Sequence, residues 1–117
     1  MNLKIIFTII VALIHAYIWY LEMFLWTKKK GIKAFNLKSK EFADETKILA
    51  ANQGLYNLFI AAGLLWSLTY NKEDSVLFFL TCVTVAGIYG SYSTKKISIF
   101  YIQTIPALLT LLLTLFN

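Results

Sequence analysis

The chain has 117 residues, of which 59% are hydrophobic, and a formal net charge of +5 at pH 7. A soluble domain usually contains about 45 to 50% apolar residues, so this composition argues against a soluble fold. All 11 basic residues are lysines. Without arginine the chain has no guanidinium groups to grip phosphates or bases, and we expect no nucleic-acid partner. Cys82 is the single cysteine and there is one histidine, so we expect no intrachain disulfide, metal site or cofactor.

Four apolar stretches fill most of the chain. They run over residues 3–26, 48–70, 75–93 and 97–116. Each is close to the length of about 20 residues that an α-helix needs to cross about 30 Å of hydrocarbon. Backbone polar groups find no water there, and an unbroken apolar run satisfies them as a helix. The sequence therefore predicts an all-α fold, a four-helix transmembrane bundle that forms a single domain over residues 1–117.

The lysines are unevenly distributed between the connections. Nine of the 11 lie in the connections 27–47 and 95–96, on one face of the predicted bundle, whereas Lys4 and Lys72 fall on the other. Lysines beside membrane spans mark the cytoplasmic side. We therefore predict a multi-pass protein of the cell membrane, in contact with lipid, with a basic cytoplasmic loop at 27–47 and both termini outside the cytoplasm.

Single residues predict several local features. Gly31 and Asn36 are expected to break the helical pattern of the first connection, and Ser39 is a plausible N-cap for a second helix that begins before its membrane part. Pairs of small residues mark places where helices can approach closely: Ala50 with Gly54 in the second span, and Ala86 with Gly90 or Gly87 with Ser91 in the third. Pro106 removes one backbone donor from the last span and is expected to bend it.

Glu22 and His15 are the candidate catalytic residues. They lie seven positions apart on one face of the first span, with His15 near mid-membrane and Glu22 about 10 Å nearer the cytoplasm. A charged carboxyl is strongly disfavoured in lipid, so we expect Glu22 to be protonated, hydrogen-bonded by amides such as Asn52 and Gln53, or in contact with water. A purely structural role, holding two helices together, is the alternative for both residues.

Further polar side chains gather at the depth of Glu22. The second span contributes two pairs that are each four residues apart and so share helix faces. The later spans add tyrosines and an amide, and together these side chains predict a polar pocket that opens toward the cytoplasmic leaflet. The predicted ligand-binding residues are Glu22, Asn52, Gln53, Tyr56, Asn57, Tyr89 and Gln103.

Several strings resemble one family of small bacterial and fungal membrane proteins, domain of unknown function 1304. They are residues 21–26, 49–57, 61–66, 82–83 and 86–90, with Gln103 and 106–109, and they cover nearly the whole chain. The loop after Trp26 departs from the family, which commonly has a proline and Phe-Gly-Leu where this chain reads Lys28-Lys29-Lys30 and Phe35-Asn36-Leu37. The resemblance implies an integral membrane protein with no established activity.

Four functional hypotheses stay open at this point, and with them whether the chain is an enzyme and whether it forms a homo-oligomer. The first is a protein that binds an amphipathic small molecule or lipid in the polar pocket. The second is a transferase, because the layout is similar to that of the microsomal glutathione-transferase superfamily, although those enzymes rely on arginine. The third is a small proton-coupled exporter with Glu22 as its carboxylate, and the fourth is a structural or accessory subunit.

Overall fold

The computed structural model describes residues 2–116 and contains no β-strand among them. Its helices are α1 (Leu3–Phe24), α2 (Lys29–Ala34), α3 (Lys40–Thr69), α4 (Glu73–Thr94), α5 (Ile97–Ile99) and α6 (Ile105–Leu115), and a π-helical turn, Phe100–Thr104, joins α5 to α6. The predicted all-α class is confirmed. Met1 and Asn117, the ends of the predicted single domain, lie outside the described residues.

Four helical segments are long and apolar enough to cross a membrane: α1, α3, α4 and the segment Ile97–Leu115. They indicate a multi-pass membrane protein. Helix α3 has 30 residues and is about 45 Å long at about 1.5 Å per residue, so it exceeds the hydrocarbon thickness. It begins directly after Ser39, whose Oγ accepts a hydrogen bond from the Phe42 N–H at 3.0 Å. The predicted N-cap is confirmed.

The chain forms two compact units. The first unit contains the residues up to Ile14 and those from Ile60 onward, and the second unit is His15–Phe59. Each unit therefore contains part of α1 and part of α3. The prediction of one domain over residues 1–117 stays a prediction.

The core of the first unit is aliphatic and is built from four helical segments. Parts of α1, α3, α4 and α6 each contribute buried side chains, namely Val11, Ala12, Leu64, Val76, Leu80, Val83 and Ala107. Buried hydroxyls nearby bond to carbonyls of their own helix, as Ser67 does to Gly63 at 2.7 Å and Thr110 to Pro106 at 2.7 Å. These bonds satisfy polar groups that would otherwise be costly to bury.

The last span contains the π-helical turn, which ends two residues before Pro106. A proline ring clashes with the carbonyl four residues earlier, and an extra residue in one turn relieves that clash. Within this turn the Thr104 hydroxyl donates to the Thr84 carbonyl of α4 at 3.0 Å. Gly87 lies against the same threonine, since a Cβ there would be 2.1 Å from Thr104 Oγ1. The last span therefore contains a π turn that is fixed to α4 near Pro106, and the bend itself stays a prediction.

The connection 27–47 contains a short helix, and here one expectation is wrong. Gly31 does not break the helical pattern but lies buried inside α2. A Cβ at this position would be 1.9 Å from the Leu25 carbonyl oxygen, so glycine is needed for a close approach to the end of α1. Asn36, with φ 50°, follows the end of α2 in the left-handed conformation.

Candidate functional site

Glu22 and Asn57 form a hydrogen-bonded pair inside the second unit. The Asn57 Nδ2–H donates to Glu22 Oε1 at 2.6 Å and also approaches the Gln53 carbonyl oxygen at 3.3 Å. Both side chains are buried, with 8% of Glu22 and 9% of Asn57 exposed. The bond joins α1 to α3, and because both groups are buried, each provides a hydrogen-bond partner for the other.

Gly54 lets the two helices come close enough for this bond. A Cβ at Gly54 would lie 3.1 Å from Glu22 Cβ, 3.2 Å from the Trp19 carbonyl oxygen and 3.3 Å from the Met23 backbone nitrogen. Gly54 precedes Asn57 by three residues and therefore lies on the same face of α3. The close approach at Gly54 consequently directs the Asn57 amide at the Glu22 carboxyl.

The other predicted amides of α3 point elsewhere. Asn52 and Gln53 are exposed, and Asn52 Nδ2 donates to the carbonyl of Ile48 in its own helix at 2.9 Å. Tyr56 is also exposed. Of the four polar residues predicted on α3, the one that bonds Glu22 is Asn57.

Three predicted residues lie away from this bond along the chain. His15 is buried, with 2% exposed, two turns before Glu22 on α1. Tyr89 is exposed and Gln103 is half-buried, and both belong to the first unit. The catalytic role of His15 and the roles of Tyr89 and Gln103 in ligand binding stay predictions.

A groove of about 350 Å³ lies within the second unit. Met23, which follows Glu22 in the sequence, is one of its lining residues. Its walls combine apolar side chains with one cation and a few hydrogen-bonding groups. The lining residues are Met23, Phe24, Trp26, Thr27, Lys47, Ile48, Ala51, Asn52 and Leu55. We call this the Lys47 groove. Of the predicted ligand-binding residues, Asn52 lines it.

Trp26, two residues after the end of α1, forms part of the wall of the Lys47 groove and makes two contacts that fix it. Its indole N–H donates to the Thr46 hydroxyl at 2.9 Å, and its ring packs on Phe35 with centroids 5.0 Å apart. These contacts tie the end of α1 to α3 and to the residue that follows α2. One wall of the Lys47 groove is therefore fixed by a hydrogen bond and a ring contact of Trp26.

Sequence reasoning missed Lys47 and Trp19 as candidate site residues. Lys47 is one of many lysines beside the predicted spans, and only its position one turn before Ala51 distinguishes it. Trp19 Nε1 is buried without a hydrogen-bond partner among residues 2–116. Such an orphan donor costs about 1 to 3 kcal/mol. Its position on the face shared by His15 and Glu22 was the available signal.

The described part of the chain offers no metal centre. Within residues 2–116 no three His, Cys, Asp or Glu side chains lie close enough to hold a metal ion. Cys82 is free and half-buried on α4.

Comparison with known proteins gives the family. The sequence model of "Protein of unknown function (DUF1304)" matches residues 9–115. The chain belongs to the DUF1304 family. The resemblance seen in the sequence is thereby confirmed. The chain is also similar to "Uncharacterized protein YpaA" of Lactococcus lactis subsp. lactis (strain IL1403), with 32% identity over 97 residues that cover 80% of this chain and 82% of that protein. No solved structure matches this DUF1304 chain.

Proposed function

We propose that this DUF1304 protein binds an amphipathic lipid or small molecule with an anionic head group in the Lys47 groove. The observation that carries the proposal is the lining of the groove. Lys47 is the charged residue among its nine lining side chains, and Met23, Phe24, Ile48 and Leu55 supply apolar surface beside it. A ligand that satisfies both kinds of surface has a negative head and an apolar chain.

The size and electrostatics of the groove support this ligand class. About 350 Å³ lies in the range of about 300 to 1,000 Å³ that small-molecule sites occupy. The connection 27–47 carries six further lysines besides Lys47, and a basic juxtamembrane segment attracts anionic head groups by about 1 kcal/mol per lysine. Because the groove adjoins this connection, the proposal places it at the cytoplasmic leaflet.

Hydrogen bonding in the groove adds selectivity for the head group. The Asn52 amide donates one N–H to the Ile48 carbonyl. Its second N–H and its carbonyl oxygen are then available to a ligand. A phosphate or carboxylate near Lys47 would accept from that second N–H. In this proposal Asn52 and Lys47 contact the head group.

Glu22 and Asn57 have a positioning role in the proposal. Met23 follows Glu22 directly and lines the Lys47 groove, whereas the Glu22 carboxyl is buried against Asn57. Their bond fixes α1 against α3 and so fixes the two walls of the groove. No reaction is proposed, because no nucleophile with an adjacent base lines the groove.

The test is a titration of the purified protein in neutral maltoside micelles with octyl phosphate, followed by calorimetry against empty micelles. Ala51→Phe fills the groove without changing charge, and we expect it to weaken binding by about tenfold or more, since a filled cavity excludes the chain. Lys47→Gln should weaken binding by about fivefold and reduce its dependence on salt.

Ala62→Phe is the matched control, because Ala62 is exposed on the same helix and lies in the first unit. It should bind octyl phosphate as the wild type does. Equal affinity of the wild type and Ala51→Phe for octyl phosphate would contradict the proposal, as would an equal loss of octyltrimethylammonium affinity in Ala51→Phe.

A further inference from the structure

We infer that the first unit carries a second binding site, for the head group of an alkylammonium compound. The site is a groove of about 410 Å³ whose lining combines one carboxylate with three aromatic rings. The lining residues are Gly63, Trp66, Asp74, Ser75, Phe78 and Phe79. We call this the Asp74 groove. It shares no lining residue with the Lys47 groove and is independent of the function proposed for that groove.

The aromatic part of the Asp74 groove is closely packed. Phe78 and Phe79 meet edge to face with centroids 5.7 Å apart. The Phe79 ring packs directly against Gly63, because a Cβ at position 63 would lie 2.6 Å from that ring. Ring faces attract cations through their quadrupole, and tryptophan does so most strongly. Trp66, on α3, supplies such a ring opposite α4.

The carboxylate of the groove is not neutralised by a lysine. Within residues 2–116 the ion pairs are Lys4 with Glu73 and Lys40 with Asp44. Glu73 is therefore paired with Lys4, whose Nζ lies 2.9 Å from Glu73 Oε2. Asp74 has no cationic partner among residues 2–116. Asp74 Oδ1 accepts the Ser75 N–H at 2.9 Å, which holds the carboxylate in place. A cation bound in the groove would therefore interact with the Asp74 carboxylate in a fixed position.

The combination selects one class of occupant. A carboxylate repels phosphate and carboxylate head groups, while aromatic rings bind trimethylammonium groups better than they bind hydrated metal ions. The remaining apolar surface, on Phe78 and Phe79, suits the first methylenes of an alkyl chain. The occupant is thus an amphipathic organic cation with a quaternary or alkylated amine.

The test is a calorimetric titration of the full chain with octyltrimethylammonium in neutral maltoside micelles. Asp74→Asn removes the charge, and we expect affinity to fall by about tenfold because the paired cation loses its Coulomb partner. Ser75→Phe keeps the charge and the backbone N–H but fills the groove, and it should abolish measurable binding. Glu73→Gln is the matched control, since it removes a neighbouring carboxylate outside the groove, and it should bind within about twofold of the wild type.

Thermal unfolding of each variant confirms that it is folded before the titration. Loss of binding in Asp74→Asn and Ser75→Phe, with binding kept in Glu73→Gln and in Ala51→Phe, supports the second site. Equal affinity in Asp74→Asn and Glu73→Gln would overturn it, because a general surface charge would then explain the binding. Unchanged affinity in Ser75→Phe would overturn it as well.

Discussion

At the scale of residues, the feature that organises the second unit is one hydrogen bond between a carboxyl and an amide. Asn57 donates to Glu22 at 2.6 Å, and both groups are buried. Removing one partner leaves the other polar group buried with less hydrogen bonding, which is more costly than the bond is worth. The pair therefore stabilises one arrangement of α1 and α3 in this unit.

A double-mutant cycle tests this pair. Glu22→Ala should lower the free energy of unfolding by about 2 to 3 kcal/mol, because it removes the bond and leaves a cavity. Glu22→Gln should lose less, since its amide oxygen still accepts from Asn57. With Asn57→Ala the cycle should give a coupling of about 1 kcal/mol. Reversible unfolding in mixed micelles gives the free energies of unfolding of the wild type, Glu22→Ala, Asn57→Ala and the double variant. A coupling near zero would show that the bond contributes nothing.

The sequence predicted that amide side chains would hydrogen-bond Glu22, but it did not identify Asn57 as the partner. A buried carboxyl requires partners wherever it lies in hydrocarbon, so Glu22 could be singled out from residue type and position alone. Asn52, Gln53 and Asn57 all lie near its depth, and the choice among them depends on how α3 is rotated about its axis. The close contact at Gly54 sets that rotation, and its backbone partners on α1 cannot be identified from sequence.

At the scale of elements, glycine and threonine control how α4 packs on the last span. A Cβ at Gly87 would be 2.1 Å from Thr104 Oγ1 and 2.8 Å from the Thr104 backbone nitrogen. Neither a hydrogen-bonded hydroxyl nor a backbone atom can yield easily. One turn later, a Cβ at Gly90 would have one close neighbour, the Cγ2 methyl of Ile99 at 3.2 Å, and a side-chain shift of a few tenths of an ångström would relieve that contact.

These two glycines make a matched pair of variants. Gly87→Ala should destabilise the protein by about 2 kcal/mol or more, because overpacking displaces the π turn. Gly90→Ala should be neutral or stabilising by about 0.5 to 1 kcal/mol, because alanine has the higher helix propensity. Thermal unfolding of the two variants in the same detergent measures the difference. Equal stabilities would contradict the packing described for α4.

The helices themselves were largely predictable, and their irregularities were not. Apolar length and the Ser39 cap predict where α3 begins, because both are local properties. Gly31 inside α2 and the π turn before Pro106 depend on packing between elements, of Gly31 against the Leu25 carbonyl and of Thr104 against Thr84 on α4, which local residue patterns do not show. In lipid the outer faces of helices are as apolar as the inner ones, so hydrophobic periodicity does not identify the packed face.

At the scale of the whole molecule, the lysine distribution predicts an orientation in the membrane. In a Cys82→Ser background, Ala34→Cys should resist an impermeant thiol reagent in intact cells, since the basic connection is expected in the cytoplasm. Lys72→Cys should be labelled, because the turn before α4 is expected outside. Both positions are exposed in the structure. Labelling of Ala34→Cys together with protection of Lys72→Cys would reverse the orientation and the leaflet proposed for the Lys47 groove.

Mass spectrometry of the small molecules that co-purify with the protein from its membrane shows directly whether the Lys47 groove binds an anionic amphiphile. Wild type, Ala51→Phe and Ala62→Phe are purified in parallel in a neutral detergent. An anionic amphiphile should be enriched with the wild type and with Ala62→Phe and depleted with Ala51→Phe, because that variant alone fills the Lys47 groove. Equal amounts of anionic amphiphile in all three preparations would contradict the account.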